Sequence, residues 1–311
     1  MLARVAENLY WFSRYLKRAE NTARLLGVNS QMQLDLPRSV RFQWDPLLDI
    51  FGARDTFAAL YPDADSAAEQ EVARFLLFDE RNPCSMLSSL RQARDALRAI
   101  RETLPQDVWE RLNRTYLWLI ENGERLRGLR HRQDVLTRTV DGCMAVSGIL
   151  TGNVSRDLGF TFLRLGTALE QADMTTRIID AGASGLIVAR VEGEDAFDAL
   201  QWMSMLRSLA AYQMYRRHVR QRVTAPLALQ FLLQDREFPR SVLFCLVRMQ
   251  VALPQLPDRR PVERALMRGI ALVRDADTRT LSREDIRALM DEVQIGIAVL
   301  HDAITASCFR C

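Results

Sequence analysis

The sequence predicts an all-α protein made of two diverged pseudo-repeats of one multi-helix bundle unit. Glycine and proline are scarce, at 14 and 10 among 311 residues, which leaves few turns and favours long helices over a sandwich or barrel. Apolar residues make up 48% of the chain, enough for a sizeable core. Three sequence blocks recur in the same order in the second half. We therefore expect a first helical repeat at 1–153 and a second at 154–311.

The repeat rests on three pairs of matching segments. The spacing between partners varies by only a few residues, as small insertions would produce. Three collinear blocks make coincidence a poor explanation. The pairs are residues 18–26 with 171–179, 44–48 with 202–206, and 75–85 with 231–241.

Each copy reads as the same series of helices. A long first helix carries an acid–arginine block, a tryptophan-containing helix follows, and a third helix ends in Phe-Leu-Leu-x-Asp. Pro83 and Pro239 then stand near the start of the next helix, where the missing N–H costs nothing. Asp79 and Asp235 lie just before it, and we expect them to cap that helix or to interact with its dipole.

Two further helices complete each copy, and Ser282-x-x-Asp285 suits the cap of the last one. The predicted helices cover 105–124, 126–151, 258–277 and 281–306. The predicted loops cover 27–40, 61–65, 182–193 and 254–260.

The first helix of each copy has an apolar seam with steps of three and four, typical of a helix packed in a bundle. Trp11 and Leu25 lie on another face, so we expect neighbours on more than one side. The seam residues are Leu9, Phe12, Leu16, Ala19, Ala23 and Leu26 in the first copy, and Phe162, Leu165, Leu169, Ala172, Thr176 and Ile179 in the second.

Charged residues on these helices stand four apart, a spacing that places side chains one above the other. Two interpretations follow, because a buried charge needs a partner or a ligand. In the structural one, the charges form ion pairs that hold the two copies together. In the functional one, arginines line an anion site and Glu20 orients one of them or acts as a base. The charges are Arg14, Arg18, Glu20, Arg24, Asp173 and Arg177.

Two arginine stripes are candidate partner surfaces. Arg91, Arg94, Arg98 and Arg101 follow helical spacing in the first copy. The segment 215–222 is the densest basic stretch, and on a helix Arg216, Arg217 and Arg220 would share one side. Each stripe is either a solvated face or a dock for an acidic partner, and the two together could flank a groove.

Composition disfavours several classes of function. The net charge of +3, from 42 basic and 39 acidic residues, gives little support for nucleic-acid binding. No signal peptide or membrane span is evident, and five scattered cysteines are typical of a reduced, cytoplasmic protein. Three separated histidines and the lack of a glycine-rich phosphate loop predict neither a metal nor a cofactor. We interpret Cys308-x-x-Cys311 as incidental, because no second cysteine pair completes a zinc site.

The N-terminal run from Met1 through residue 26 closely resembles the alpha-E family of bacterial all-helical proteins, named for a Glu-Arg motif in this helix. The likeness extends over nearly the whole chain, including 93–102, 211–217 and 231–241. The family usually has Gly at the position of Ser13 and Glu-Arg at the position of Lys17-Arg18, and the second copy has Glu170-Gln171. The Glu-Arg pair is therefore incomplete in each copy, which weakens any role that needs an acid at position 17.

The resemblance implies partners more than chemistry. Alpha-E proteins are typically encoded beside, or fused to, a circularly permuted ATP-grasp protein, with a transglutaminase-like peptidase and a proteasome-like β-subunit relative as frequent neighbours. Because ATP-grasp enzymes form amide bonds through an acyl phosphate, the first hypothesis is an accessory or scaffold protein of a peptide-ligating or peptide-tagging system. The second is an enzyme that acts on an acyl phosphate or peptide, with Glu20 as base and Arg14, Arg18 and Arg24 holding the anion. The oligomeric state stays open.

Overall fold

The computed structural model describes residues 1–35, 44–63, 69–123, 129–183 and 194–309. Over these ranges the chain forms fourteen α-helices and two 3₁₀ turns, Arg101–Thr103 and Leu253–Gln255, and no strand. The all-helical prediction is therefore confirmed for this part of the chain. The first seven helices are α1 (Ala3–Asp35), α2 (Asp45–Ile50), α3 (Arg54–Leu60), α4 (Glu69–Phe78), α5 (Met86–Arg98), α6 (Gln106–Gly123) and α7 (Leu129–Asn153). The next seven are α8 (Leu158–Ala183), α9 (Glu194–Ser208), α10 (Tyr212–His218), α11 (Ala225–Gln234), α12 (Val242–Gln250), α13 (Arg259–Arg274) and α14 (Arg283–Cys308).

Helices α1 and α8 pack against each other at the centre, and the other helices surround this pair. Helices α5, α7 and α9 pack on α1, whereas α12, α14 and α2 pack on α8. All twelve predicted seam residues are buried, which confirms the apolar seam of both helices. Leu25 is also buried and Trp11 is partly buried, so α1 has neighbours on more than one face, as expected.

Small residues allow α1 and α8 to approach closely. A β-carbon added at Gly166 of α8 would overlap the Ser13 hydroxyl and the Tyr10 carbonyl oxygen of α1. Ser13 uses the same hydroxyl to donate a 2.9 Å hydrogen bond to that carbonyl, so its polar atom is satisfied within α1. The crossing point brings the charged residues of both helices within reach of each other.

The four helices predicted outside the repeated blocks are confirmed as α6, α7, α13 and α14, with other ends that differ by a few residues, while residues 124 and 126–128 lie outside the described residues. Ser282 and Asp285 form the predicted capping box at the start of α14. The predicted loop at 27–40 is wrong up to Asp35, because buried residues such as Met32 continue the packed face of α1. Its remainder, 36–40, lies outside the described residues.

The other predicted loops are partly correct. Residues 61–63 follow α3 outside any helix, and 64–65 lie outside the described residues. Residues 182–183 belong to α8, and 184–193 lie outside the described residues. The segment 254–260 includes the end of the second 3₁₀ turn and the start of α13.

Asp79 and Asp235 do not cap α5 and α12, so the prediction that they cap the next helix is wrong. Ser85 and Ser241 are the N-cap residues of α5 and α12, and each serine oxygen accepts a 3.1 Å hydrogen bond from the third helical amide. Asp235 instead accepts bonds from the amides of residues 237 and 238, and Asp79 from the amide of Arg81. The aspartates lie six residues before the serines, so they close the preceding turn rather than the helix.

Candidate functional site

The centre of the α1–α8 contact holds one buried carboxylate between two arginines, which we call the Glu170 cluster. Arg14 Nε donates to Glu170 Oε2 at 2.9 Å, and Arg18 donates through Nε to Oε1 at 2.6 Å and through Nη2 to Oε2 at 3.0 Å. The Glu170 side chain is 1% exposed. Burial alone would raise the pKa of Glu170, but the charges and hydrogen bonds of Arg18 and Arg14 outweigh it and lower that pKa.

Aromatic residues also lie close to the Arg14 guanidinium. Its guanidinium carbon lies 5.0 Å from the ring centre of Trp11, and Nη1 lies 3.3 Å from Nδ1 of His301 on α14. The Tyr10 hydroxyl lies 2.9 Å from Nδ1 of His301. Burial, followed by the charge of Arg14, lowers the pKa of His301, so this histidine favours its neutral form. The Arg14 guanidinium therefore has neighbours besides Glu170, namely Trp11 and His301.

A second buried carboxylate lies one helical turn further along α1, in what we call the Glu20 cluster of Lys17, Glu20, Arg24 and Arg240. Glu20 accepts from Lys17 Nζ at 2.6 Å, from Arg24 Nε at 2.8 Å and from Arg240 Nη2 at 2.6 Å. Burial acts to raise the pKa of Glu20, but Lys17, Arg240 and Arg24 together lower it to about 2. Glu20 is therefore a paired, ionised carboxylate.

Two buried thiols accompany the Glu20 cluster. Burial raises the pKa of Cys245 to about 12, and burial together with the charge of Glu20 raises the pKa of Cys143 well above its ordinary range. Because the thiolate is the reactive form, both cysteines are poor nucleophiles at neutral pH.

The acid–arginine pair of α8 has a more open setting. Arg177 Nε donates to Asp173 Oδ2 at 2.9 Å, and the Arg177 side chain is 33% exposed. A cavity of about 90 Å³ lies beside this pair, and we call it the Cys84 pocket. It is lined by Arg18, Ile50, Phe51, Cys84, Glu170, Asp173, Met174 and Arg177.

The predicted anion site is thus divided among three places. Arg14 and Arg18 meet at Glu170, Arg24 belongs to the Glu20 cluster, and Arg177 lies at the Cys84 pocket together with Arg18. Arg240 and His301 are further partners of these charges that the sequence did not predict. No pattern marked Arg240, because the corresponding position of the other third block is Cys84.

The residues of the first arginine stripe differ in their exposure to solvent. Arg94 is partly buried, donates to Asn113 at 2.7 Å and lies over the rings of Trp109 and Tyr116, so it belongs to the α5–α6 contact. Arg98 is exposed, 3.6 Å from Asp95.

In the second stripe, Arg216 and Arg217 are exposed on α10. That helix ends at His218, and Arg220 has a positive φ of 56°, so the expected shared side with Arg220 is wrong. Helix α5 packs on α1, α4 and α6, whereas α10 packs on α9, so the two stripes belong to different parts of the packing.

A larger cavity of about 880 Å³ lies between α4 and the end of α6, where Asp79, Arg81 and Arg132 contribute charge. It contains none of the predicted site residues. Within the described ranges, no three His, Cys, Asp or Glu side chains gather as a set that could hold a metal ion. Cys308 is buried, and Cys311 lies outside the described residues. None of the described helices combines the length and the apolar character that crossing a membrane requires.

Comparison with known proteins gives a family but no solved relative. A family model described as a predicted α-helical domain with a conserved ER motif matches residues 1–309. Uncharacterized proteins of Mycobacterium bovis and Mycobacterium tuberculosis are 26% identical over 269 residues, which is 82% of this chain. The chain spans only 30% of the length of these curated relatives. No solved structure matches it.

Proposed function

Because this chain belongs to the Alpha-E family, we propose that it is a non-catalytic accessory protein that binds an ATP-grasp ligase and presents that enzyme's peptide substrate. The observation that carries the non-catalytic part is the closure of the Glu20 cluster. A general base works best with a pKa near the operating pH, whereas three cations lower the pKa of Glu20 to about 2. The alternative enzyme with Glu20 as base therefore loses its main support.

The family's Glu-Arg motif fits a structural role in this proposal. Each half of the chain has only one member of the pair, Arg18 in the first and Glu170 in the second. The two meet across the α1–α8 contact through two hydrogen bonds. Paired in this way, the motif joins helices and leaves the chemistry to a partner.

The same proposal includes a duplicated architecture, with a first copy at 1–153 and a second at 154–311. The packing is consistent with it, because α5 and α7 pack on α1 as α12 and α14 pack on α8. The helices of the second repeated block cross over: α2, which directly follows Trp44, packs on α8, and α9, which contains Trp202, packs on α1 as well as on α8. These packing relations support a duplicated arrangement about the α1–α8 contact.

The proposed partner is the circularly permuted ATP-grasp protein of the same genome, with the transglutaminase-like peptidase and the proteasome-like β-subunit relative as further members. The mycobacterial relatives support a role alongside other domains, because the matched region is only 30% of their length. Exposed Arg98, Arg216 and Arg217 are the proposed contact residues for an acidic surface. The proposed setting is the cytoplasm, where ATP is available to the ligase.

The test is co-purification of this chain with that ATP-grasp protein, followed by ATP turnover with and without the chain. We expect a stable complex and stimulated turnover. The absence of both would overturn the accessory role.

A charge-reversal pair then locates the contact. We expect Arg216→Glu with Arg217→Glu to weaken the complex while the helical circular dichroism signal stays unchanged. The matched control reverses Arg259 and Arg260, an adjacent pair on α13 that is also exposed. Equal weakening by both double variants would remove α10 from the proposed interface.

A further inference from the structure

The Glu20 cluster holds more positive charge than negative charge. Its one carboxylate accepts hydrogen bonds from Lys17, Arg24 and Arg240, at N–O distances of 2.6, 2.8 and 2.6 Å. Among the described residues, no other Asp or Glu forms an ion pair with any of these cations. Three cations therefore share a single negative charge, and two positive charges are left over.

The Glu170 cluster, where two arginines share one carboxylate, gives a comparison. There, burial acts to lower the pKa of both arginines, but the charge and hydrogen bonds of the carboxylate outweigh it, and the pKa of each is raised. In the Glu20 cluster, burial lowers the pKa of Lys17 and of Arg240, and the carboxylate does not outweigh it. A further anion would therefore stabilise the charged forms of these side chains.

Hydrogen-bond donors of the Glu20 cluster are left over as well. Arginine and lysine have several N–H groups each, and Glu20 accepts only some of them. Among the described residues, Nη1 of Arg24 and Nε of Arg240 have no hydrogen-bond partner. Asn21 lies against Arg240 and is 3% exposed, and its Nδ2 is a buried donor without a partner. Unused donors and unbalanced charge thus occur in the same place.

The cations of the cluster reach the surface between α1, α7 and the turn before α12. Their side chains are between 13% and 20% exposed, whereas the Glu20 side chain is only 2% exposed. Met144 of α7 lies at this edge, half exposed, with its sulfur 2.8 Å from Nη2 of Arg24. An anion from the solvent can therefore approach the cations without displacing Glu20.

The type of anion follows from the surplus charge. A phosphoryl group carries about two negative charges at neutral pH, whereas a carboxylate carries one. Arginine and lysine both bind phosphoryl oxygens well. We propose that the Glu20 cluster binds a phosphoryl group through the outer N–H groups of Lys17, Arg24 and Arg240. The carboxylate of Glu20 holds the three cations in place. The same chemistry would recognise free phosphate and the phosphate monoester of a small molecule.

The test uses Lys17 as its own reporter, because it is the only lysine among the 311 residues. A chain made with carbon-13-labelled lysine gives a single Cε signal by NMR, and this signal comes from the proposed site. Inorganic phosphate, methyl phosphate and acetate are each titrated at about pH 7.5 and constant ionic strength, where phosphate is mostly dianionic. We expect a saturable shift with phosphate or its monoester, and about tenfold or more weaker binding of acetate.

The tighter of the two phosphate ligands identifies the source of the phosphoryl group. Bound phosphate should also raise the pKa of Lys17 by about 1, because it supplies the missing negative charge. A shift that never saturates, or equal binding of acetate, overturns the proposal. An unchanged pKa of Lys17 at saturating phosphate also overturns it.

Variants place the binding at the cluster. Met144→Glu supplies a carboxylate beside Arg24 and should weaken phosphate binding about tenfold or more, whereas Met144→Gln has a similar length and should leave it unchanged. Arg24→Gln should weaken it to a similar extent. The control Arg177→Gln removes the corresponding arginine of α8, which has its own carboxylate, Asp173. Binding that survives both Met144→Glu and Arg24→Gln overturns the assignment, and so does equal weakening by the two control variants.

The titration uses the chain alone, and the proposal goes beyond the accessory role without depending on it. A chain that binds phosphate but no ligase would refute the accessory role and keep the anion site. A chain that binds the ligase but no phosphate would do the reverse.

Discussion

The Glu20–Arg24 pair and the Asp173–Arg177 pair have the same spacing on similar helices but different surroundings. In the first, Lys17 and Arg240 also bind the carboxylate, which is 2% exposed, whereas the carboxylate of the second is 16% exposed and lies beside a cavity. Two positions differ: the turn before the neighbouring helix has Arg240 in one case and Cys84 in the other, and the residue three before the acid is Lys17 in one case and Glu170 in the other. A short motif therefore does not fix its own environment, because side chains outside it decide how closed it is.

The largest effect is expected from neutralising Glu170, the carboxylate at the centre of the Glu170 cluster. Glu170→Gln keeps the shape but leaves Arg14 and Arg18 buried without a counter-charge. We expect a loss of about 3–5 kcal/mol in the free energy of unfolding, measured by urea denaturation. The control Glu80→Gln breaks an exposed pair with Arg91 and should cost about 1 kcal/mol or less. Equal small losses in both variants would show that Glu170 does not hold the helices together.

The next largest effect should be a loss of stability in acid, as Glu20 is protonated. The folded pKa of Glu20, about 2, lies below its ordinary value of 4.5, so its contribution is complete above pH 4.5 and is lost as the pH falls towards 2. The expected contribution is about 3 kcal/mol. Urea denaturation between pH 5 and 2 measures the slope, which should be shallower in Glu20→Gln than in the wild type. Parallel slopes would contradict the depressed pKa.

Arg240→Cys makes the Glu20 cluster resemble the Cys84 pocket and sharpens the comparison directly. Glu20 keeps Lys17 and Arg24 but loses one charge-assisted hydrogen bond, so we expect a cost of about 2 kcal/mol by urea denaturation. Arg236→Cys, at an exposed position of the same turn, should change the stability by about 0.5 kcal/mol or less. If both variants cost the same, Arg240 contributes nothing specific to closure.

The smallest effect is expected at the open pair. Arg177→Gln removes a partly exposed pair four residues apart on one helix, so the free energy of unfolding should fall by only about 0.5 kcal/mol. The same denaturation series measures it. A loss above about 1.5 kcal/mol would mean that Arg177 is as structural as the buried charges and would remove the contrast between the two pairs.

Sequence periodicity predicted the helices well, because the buried seam of α1 and α8 is a local pattern that helical packing requires. The Ser282–Asp285 cap was also readable, since both partners lie within one turn. The end of α1 could not be predicted, because packing sets its last turns and no local sequence signal reveals that packing. The ion-pair partners were harder still: Glu170 stands 152 residues from Arg18, and Arg240 stands 220 from Glu20. Such contacts depend on how distant helices cross, and no local sequence pattern reveals that crossing.

The crossover of α2 and α9 bears on how this region can be inherited. Because α2 packs on α8 and α9 packs on α1, we expect that neither half of the chain alone can shield its central helix from water. Separated pieces 1–153 and 154–311 should therefore be insoluble when made alone and recover only when made together. Gene fusion or gene loss should then keep or remove the two halves together. The family match, which covers residues 1–309, agrees with this expectation.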